Sequence, residues 1–170
     1  SLIYAYSAAF PDLEKITIWA RNTEKAKILI NKISNLDITI EVSSDIQLTS
    51  ANADIISTAT MAHEPILKGE WVKPGTHIDL IGAFTSDMRE ADDFLMSSGS
   101  IFVDSRATTI EHIGELTIPI SNGIISKNDI IGDFYDLIPS SKGGRKSNDE
   151  ITIFKNGGGA HLDLMIAKYL

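Results

Sequence analysis

The stretch that decides the fold reads Lys15-Ile16-Thr17-Ile18-Trp19, then Thr23-Glu24-Lys25-Ala26-Lys27-Ile28-Leu29-Ile30, then Ile38-Thr39-Ile40-Glu41-Val42. Its outer segments alternate and are rich in β-branched residues, the pattern of strands. The middle segment sets Ala26, Leu29, Ile30 and Ile33 on one face behind Thr23 as N-cap, the pattern of a helix of about three turns. Strand, helix-length crossover and strand make a βαβ unit, which calls for a parallel sheet. Upstream, Leu2–Phe10 reads as the end of an apolar helix closed by Pro11. Downstream the alternation continues. Ser44-Asp45 opens a short helix ending near Asn52. Ala53–Thr58 and Gly75–Ile81 read as strands covered on both faces, joined by a loop holding Pro65, Gly69 and Pro74. Ala91–Ser98 reads as helix, Ser100–Asp104 as strand, Ser105–Ile113 as a helix stopped by Gly114, and Ile130–Ile138 as a further helix after the polar Asn122–Asp129. The segment Pro139–Glu150 has the composition of a linker. Beyond it Ile151–Phe154 reads as strand, and Gly157–Gly159 leads into an amphipathic helix through Leu162, Met165, Ile166 and Tyr169. The fold class is α/β.

Composition narrows the functions. With 170 residues, 43% of them hydrophobic and 22% charged, the chain is able to bury a core. Twenty-three acidic against fifteen basic residues give a net charge of −8, which repels a phosphate backbone. Nucleic acid is therefore excluded as an expected partner. The apolar runs are too short to span a bilayer, so no membrane partner is expected either. Zero cysteines remove disulfides, thiolate nucleophiles and Cys-ligated zinc. The residues before Phe10 lack a basic export signal, and the expected location is the cytoplasm.

In a dinucleotide-binding sheet the residues just after the second strand meet the adenosine ribose, because ligands bind at the carboxyl ends of parallel strands. Here that position reads Trp19-Ala20-Arg21-Asn22-Thr23. An acidic residue would receive the 2′-hydroxyl of NAD, whereas Arg21 suits the 2′-phosphate of NADP. A solvated arginine at a strand-to-helix turn is the alternative. The fingerprint Gly-x-Gly-x-x-Gly is not found after any strand, and Gly157-Gly158-Gly159 reads as an adaptable turn. His63, His77, His112 and His161 are not spaced as metal pairs, and no metal site is expected. Asp87, Arg89, Glu90, Asp92 and Asp93 read as a solvated charged face or as helix N-terminal charge. Asp104-Ser105-Arg106 suits an N-cap at a strand end. Spacing alone assembles no set of nucleophile, acid and base, and the catalytic residues stay unknown.

Several blocks together resemble the ornithine cyclodeaminase and mu-crystallin family. They are Ile18–Asn22, Ala53-Asp54-Ile55-Ile56, the specific block His63-Glu64-Pro65-Ile66-Leu67-Lys68-Gly69-Glu70-Trp71-Val72-Lys73-Pro74-Gly75-Thr76-His77-Ile78, then Gly82-Ala83, Asp87-Met88-Arg89-Glu90, Val103-Asp104-Ser105 and Thr152-Ile153-Phe154-Lys155. The resemblance implies a Rossmann-like, doubly wound, mostly parallel sheet. On it, residues 1–140 are expected to form a partial dinucleotide-binding domain without its first strand and glycine-rich loop, 141–150 a linker, and 151–170 a strand and helix returning to a substrate and dimerisation domain. The parent would then be roughly twice this length, and residues 1–170 alone inactive. Strands Lys15–Trp19 and Ala53–Thr58 would flank the missing strand and expose unpaired edges.

By the same resemblance Arg21 and Asn22 contact the adenosine ribose and 2′-phosphate, Thr60 and Met61 lie along the dinucleotide, and Asn156 stands near the nicotinamide. Phe84 occupies the position where the cyclodeaminases carry a catalytic aspartate. The block Gly82–Glu90 is closer to the ketimine and pyrroline-2-carboxylate reductases, except that Ser86 replaces their usual proline. The implied activity is reduction of a cyclic imino acid by a homodimer using NADP, with NAD as the alternative cofactor. Ornithine cyclodeaminase, amino-acid dehydrogenase and a non-catalytic crystallin-like binding or structural protein are the alternative functions.

Overall fold

The computed structural model describes residues 2–33, 36–139 and 143–169, in two compact units divided between Thr49 and Ser50. The first unit begins with helix α1 (Leu2–Ala9), strand β1 (Lys15–Trp19), helix α2 (Thr23–Asn31) and strand β2 (Thr39–Ser43). β1 and β2 pair in parallel from Lys15 opposite Thr39 to Trp19 opposite Ser43, so the βαβ reading holds. The cap of α2 differs from expectation. Asn22, not Thr23, is the N-cap, its Oδ1 accepting the Lys25 N–H at 3.1 Å. Asparagine caps at least as well as threonine, and the helix starts one residue earlier for it. On the expected inner face Ala26 is buried and Ile30 and Ile33 half-buried, while Leu29 is exposed. Helix α3 (Ile46–Asn52) follows, its first turn held by Asp45, whose Oδ1 accepts the Leu48 N–H at 2.9 Å.

The second unit contains β3 (Ile55–Thr58), β4 (His77–Leu80), α4 (Asp93–Ser98), β5 (Ser100–Val103), α5 (Arg106–Thr109), α6 (Gly114–Ser121), β6 (Ile130–Gly132), α7 (Phe134–Leu137), β7 (Thr152–Lys155) and α8 (Ala160–Tyr169). Its sheet has the order β3-β4-β7-β5-β6, and every pairing is parallel. β7, last in the chain, therefore lies at the centre. Ile78, Leu80, Ile101, Val103 and Ile153 project from the sheet into one core with Leu67, Leu95, Leu116 and Ile130. Each such side chain contributes roughly 1.5–3 kcal/mol by leaving water. β1 and β3 are each paired on one side among the described residues.

Three readings are corrected. Gly114 does not stop a helix: α5 is short and Gly114 begins α6. It is a glycine for proximity, since a Cβ there would lie 2.4 Å from the Met88 carbonyl oxygen and 2.7 Å from that of Ser86. Residues 130–138 are not one helix either. Ile130–Gly132 is the edge strand β6, and Asp133 caps α7 through its Oδ1, which accepts the N–H groups of Tyr135 and Asp136. Two adjacent isoleucines cannot distinguish strand from helix by period, whereas an aspartate three residues before another acid was a capping-box signal. The expected helix 91–98 begins at Asp93, because Asp92 is its cap and accepts the Leu95 N–H at 2.8 Å. Of the expected linker, residues 143–150 are described and 141–142 lie outside the described residues; residues 1, 34, 35, 140 and 170 of the expected domains lie outside them too.

Candidate functional site

Because the five strands of the second unit run in parallel, their carboxyl ends share one rim, the usual ligand side of an open α/β sheet. Thr60 and Met61 follow β3, Phe84 follows β4 and Asn156 follows β7, and these three strands are neighbours. Met61 is 70% exposed and Phe84 60%. The rim thus presents apolar surface to solvent. Asn156 is half-buried, its backbone N–H donated to Leu80 O at 3.1 Å and its Oδ1 accepting the Gly158 N–H at 2.8 Å. Arg21 and Asn22 belong to the first unit, directly after β1, and both are exposed. The Asn22 oxygen is engaged in the cap bond.

Beneath the rim lie charges that the sequence did not mark. Arg89 and Glu90, read as part of a solvated face, are buried, Glu90 to 0% exposure. The Glu90 carboxylate receives four hydrogen bonds. Oε1 accepts the Thr60 N–H at 2.6 Å and the Thr60 hydroxyl at 2.7 Å, while Oε2 accepts the Thr58 hydroxyl and the Gly82 N–H, both at 2.8 Å. The Thr60 hydroxyl is thereby directed inward. Gly82 must lack a side chain, because a Cβ would lie 2.2 Å from the Thr60 nitrogen.

Glu115, in the first turn of α6, is fully buried and accepts the N–H groups of Glu90 at 2.7 Å and Ala91 at 2.9 Å. Burial pushes its carboxyl up to about 7, although those two hydrogen bonds and the charge of Lys155 act the other way. Lys155, the last residue of β7, is fully buried and donates Nζ–H to Leu80 O at 3.0 Å. Burial lowers the pKa of its ammonium, opposed by the charges of Glu115, Glu90, Asp104 and Asp79. Arg89 donates to Ala91 O at 3.1 and 2.9 Å and to Asp93 at 2.8 Å, bracing the approach to α4.

On the surface of the same rim, His63 Nδ1 stands 3.2 Å from Asp87, to whose carboxylate Thr85 donates its hydroxyl at 2.5 Å. That hydroxyl first, and His63 in smaller part, hold the Asp87 carboxyl below the usual aspartate range. Among the described residues no group of three or more His, Cys, Asp or Glu is placed to hold a metal ion, and no helix is long and apolar enough to cross a membrane. A signal for Lys155 existed in the period of β7, which puts it on the same face as Ile153. Glu90 and Glu115 gave no comparable signal, since each sits at a break in periodicity.

The family model described as the ornithine cyclodeaminase/mu-crystallin family matches residues 1–170. The chain is 52% identical over 170 residues to a Delta(1)-pyrroline-2-carboxylate reductase of Paracoccus denitrificans, covering all of the chain and 54% of that protein. It is 36% identical over 155 residues to the ketimine reductase mu-crystallin of Mus musculus, covering 91% of the chain and 46% of that protein. Among solved structures, the Thermococcus litoralis Delta(1)-pyrroline-2-carboxylate reductase in complex with NADH and L-proline superposes with a TM-score of 0.92 at 31% identity, over 98% of the chain and 52% of that structure. The chain spans about half the length of the relatives it matches.

Proposed function

Since this chain belongs to the ornithine cyclodeaminase/mu-crystallin family, we propose that the protein carrying it is an NAD(P)H-dependent reductase of a cyclic imino acid. The observation that carries this reading is the match along all 170 residues to a pyrroline-2-carboxylate reductase, with Phe84 exposed on the rim. A carboxylate at position 84 would be able to accept a proton, as an ammonia-eliminating reaction needs; a phenyl ring cannot. The cofactor would supply a hydride to the imine carbon. With a proton to nitrogen, C=N becomes CH–NH.

The chemistry of the residues present suits such a cofactor. Arg21, an exposed guanidinium after a strand, would pair with the ribose 2′-phosphate, with the Asn22 amide nitrogen beside the ribose. Met61 and the backbone of Thr60 would lie along the dinucleotide, and Asn156 would approach the nicotinamide. Exposed apolar side chains on the rim would exclude water from the ring. NADP is the preferred cofactor on the strength of Arg21, and NAD the alternative. A homodimer in the cytoplasm, with residues 151–170 returning to a substrate-binding domain, completes the proposal.

The test is direct. The full-length protein, mixed with NADPH and pyrroline-2-carboxylate or its six-membered homologue, should consume the absorbance of the reduced nicotinamide. Absence of turnover with both imines and both cofactors overturns the assignment.

A further inference from the structure

The buried acids of the second unit are arranged in two tiers. Glu115 holds the backbone N–H groups of Glu90 and Ala91, and Glu90 in turn spends its carboxylate on the strand and loops above. A carboxylate has about four lone-pair sites. On Glu90 they are met by four donors from Thr58, Thr60 and Gly82. Two of these donors are backbone N–H groups, one from the loop after β3 and one from the loop after β4. One side chain with no exposed surface therefore ties together the two loops that bear Met61 and Phe84. Burying an acid is costly, and an apolar residue would serve cohesion as well or better. What an apolar residue could not do is fix two backbone amides in register with each other.

We propose that Glu90 is a positioning residue for the rim. It touches no ligand; it sets the spacing of the Thr60 and Gly82 loops, and through them the surface on which the cofactor lies, while Glu115 holds Glu90 in place. The inference rests on the dinucleotide reading of the rim given above.

Glu90→Gln keeps the shape but turns one acceptor oxygen into a donor, so that one pair of donors loses its partner. Thr58→Val removes one donor and introduces no polar group, which keeps the test open if the Gln variant does not fold. Two readouts are taken on the full-length protein: the dissociation constant for NADPH by fluorescence titration, and hydrogen exchange at the Thr60 and Gly82 amides. With Glu90→Gln the dissociation constant should rise at least tenfold and both amides should exchange at least tenfold faster. kcat at saturating cofactor should stay within threefold, and Ile78 and Ile153 should keep their protection. Thr58→Val should move both readouts the same way by two- to fivefold.

Unchanged affinity and unchanged exchange in the folded variants would overturn the proposal. So would a uniform loss of protection across the sheet with unchanged affinity, which would make Glu90 an ordinary core residue. If the wild-type protein binds neither NADPH nor NADH while the two amides still respond, the cofactor reading falls and the clamp stands. If the wild type binds and the variants bind equally well, the clamp falls and the cofactor reading stands.

Discussion

Among the described residues of the first unit only Ala26 is buried, whereas the second encloses Ile78, Leu80 and Ile153 together with Glu90, Glu115 and Lys155 at 0% exposure. The first unit keeps its charges outside, as in the Lys15–Glu41 pair at 2.6 Å and the Lys27–Glu24 pair at 2.8 Å, and such exposed pairs add little stability. The second buries several ionisable side chains and satisfies them with backbone groups, threonine hydroxyls and, for Arg89, Asp93. A two-stranded sheet is marginal by itself, while the five parallel strands of the second unit share one core. The contrast is between a second unit that packs a core beneath its rim and a first unit that carries Arg21 exposed after a strand.

The largest expected effect lies in the second core. Ile78→Ala should destabilise the protein by about 2–5 kcal/mol, while Ile18→Ala in half-buried β1 should cost only about 1 kcal/mol. Urea unfolding of the two variants measures both, and equal losses would erase the distinction between the units. Next is the pH dependence of Glu115. Its folded carboxyl titrates at about 7 against an ordinary 4.5, so between those values the folded state binds more proton than the unfolded state. Stability from this group is therefore full below about 4.5 and is lost as pH rises towards 7. At about 1.4 kcal/mol per unit this amounts to about 3 kcal/mol. Glu115→Gln should flatten that part of the stability curve relative to wild type; parallel curves would mean that Glu115 is not the group responsible.

Arg21→Ala should weaken NADPH by roughly ten- to a hundredfold, about 1.5–3 kcal/mol, with NADH nearly unaffected. Since Arg21 is exposed, the melting temperature should not move. Equal loss of both cofactors would make it a stacking or folding residue. The smallest effect belongs to the α2 cap: Asn22→Ala should cost about 1 kcal/mol, visible as faster exchange at the Lys25 amide without change in the second unit.

The comparison also explains what could be read beforehand. β1 and β2 were legible because alternation over five residues marks a strand, β3 and β4 as short apolar runs of strands covered on both faces, and α2 because apolar residues recur at helical spacing. β6 was not, since three residues carry no period. α6 was hidden by Gly114, whose reason is the nearby carbonyls of Met88 and Ser86, partners distant in sequence. The same holds for the buried acids. Arg89 and Glu90 sit in a charged run that resembles a surface by composition, and only the fold brings Thr58, Thr60 and Gly82 onto Glu90. Arg21 was singled out by its place after a strand, and Asn22, Thr60, Met61 and Asn156 by resemblance; the roles of all five are proposals.

The most direct test of the central claim follows the hydrogen. The full-length protein is incubated with pyrroline-2-carboxylate and NADPH deuterated at the transferable position, and the product is analysed by mass spectrometry and NMR. Proline carrying one deuterium at Cα is the predicted result. Unlabelled proline, or no proline here together with ammonia released when ornithine is supplied in its place, would contradict the account.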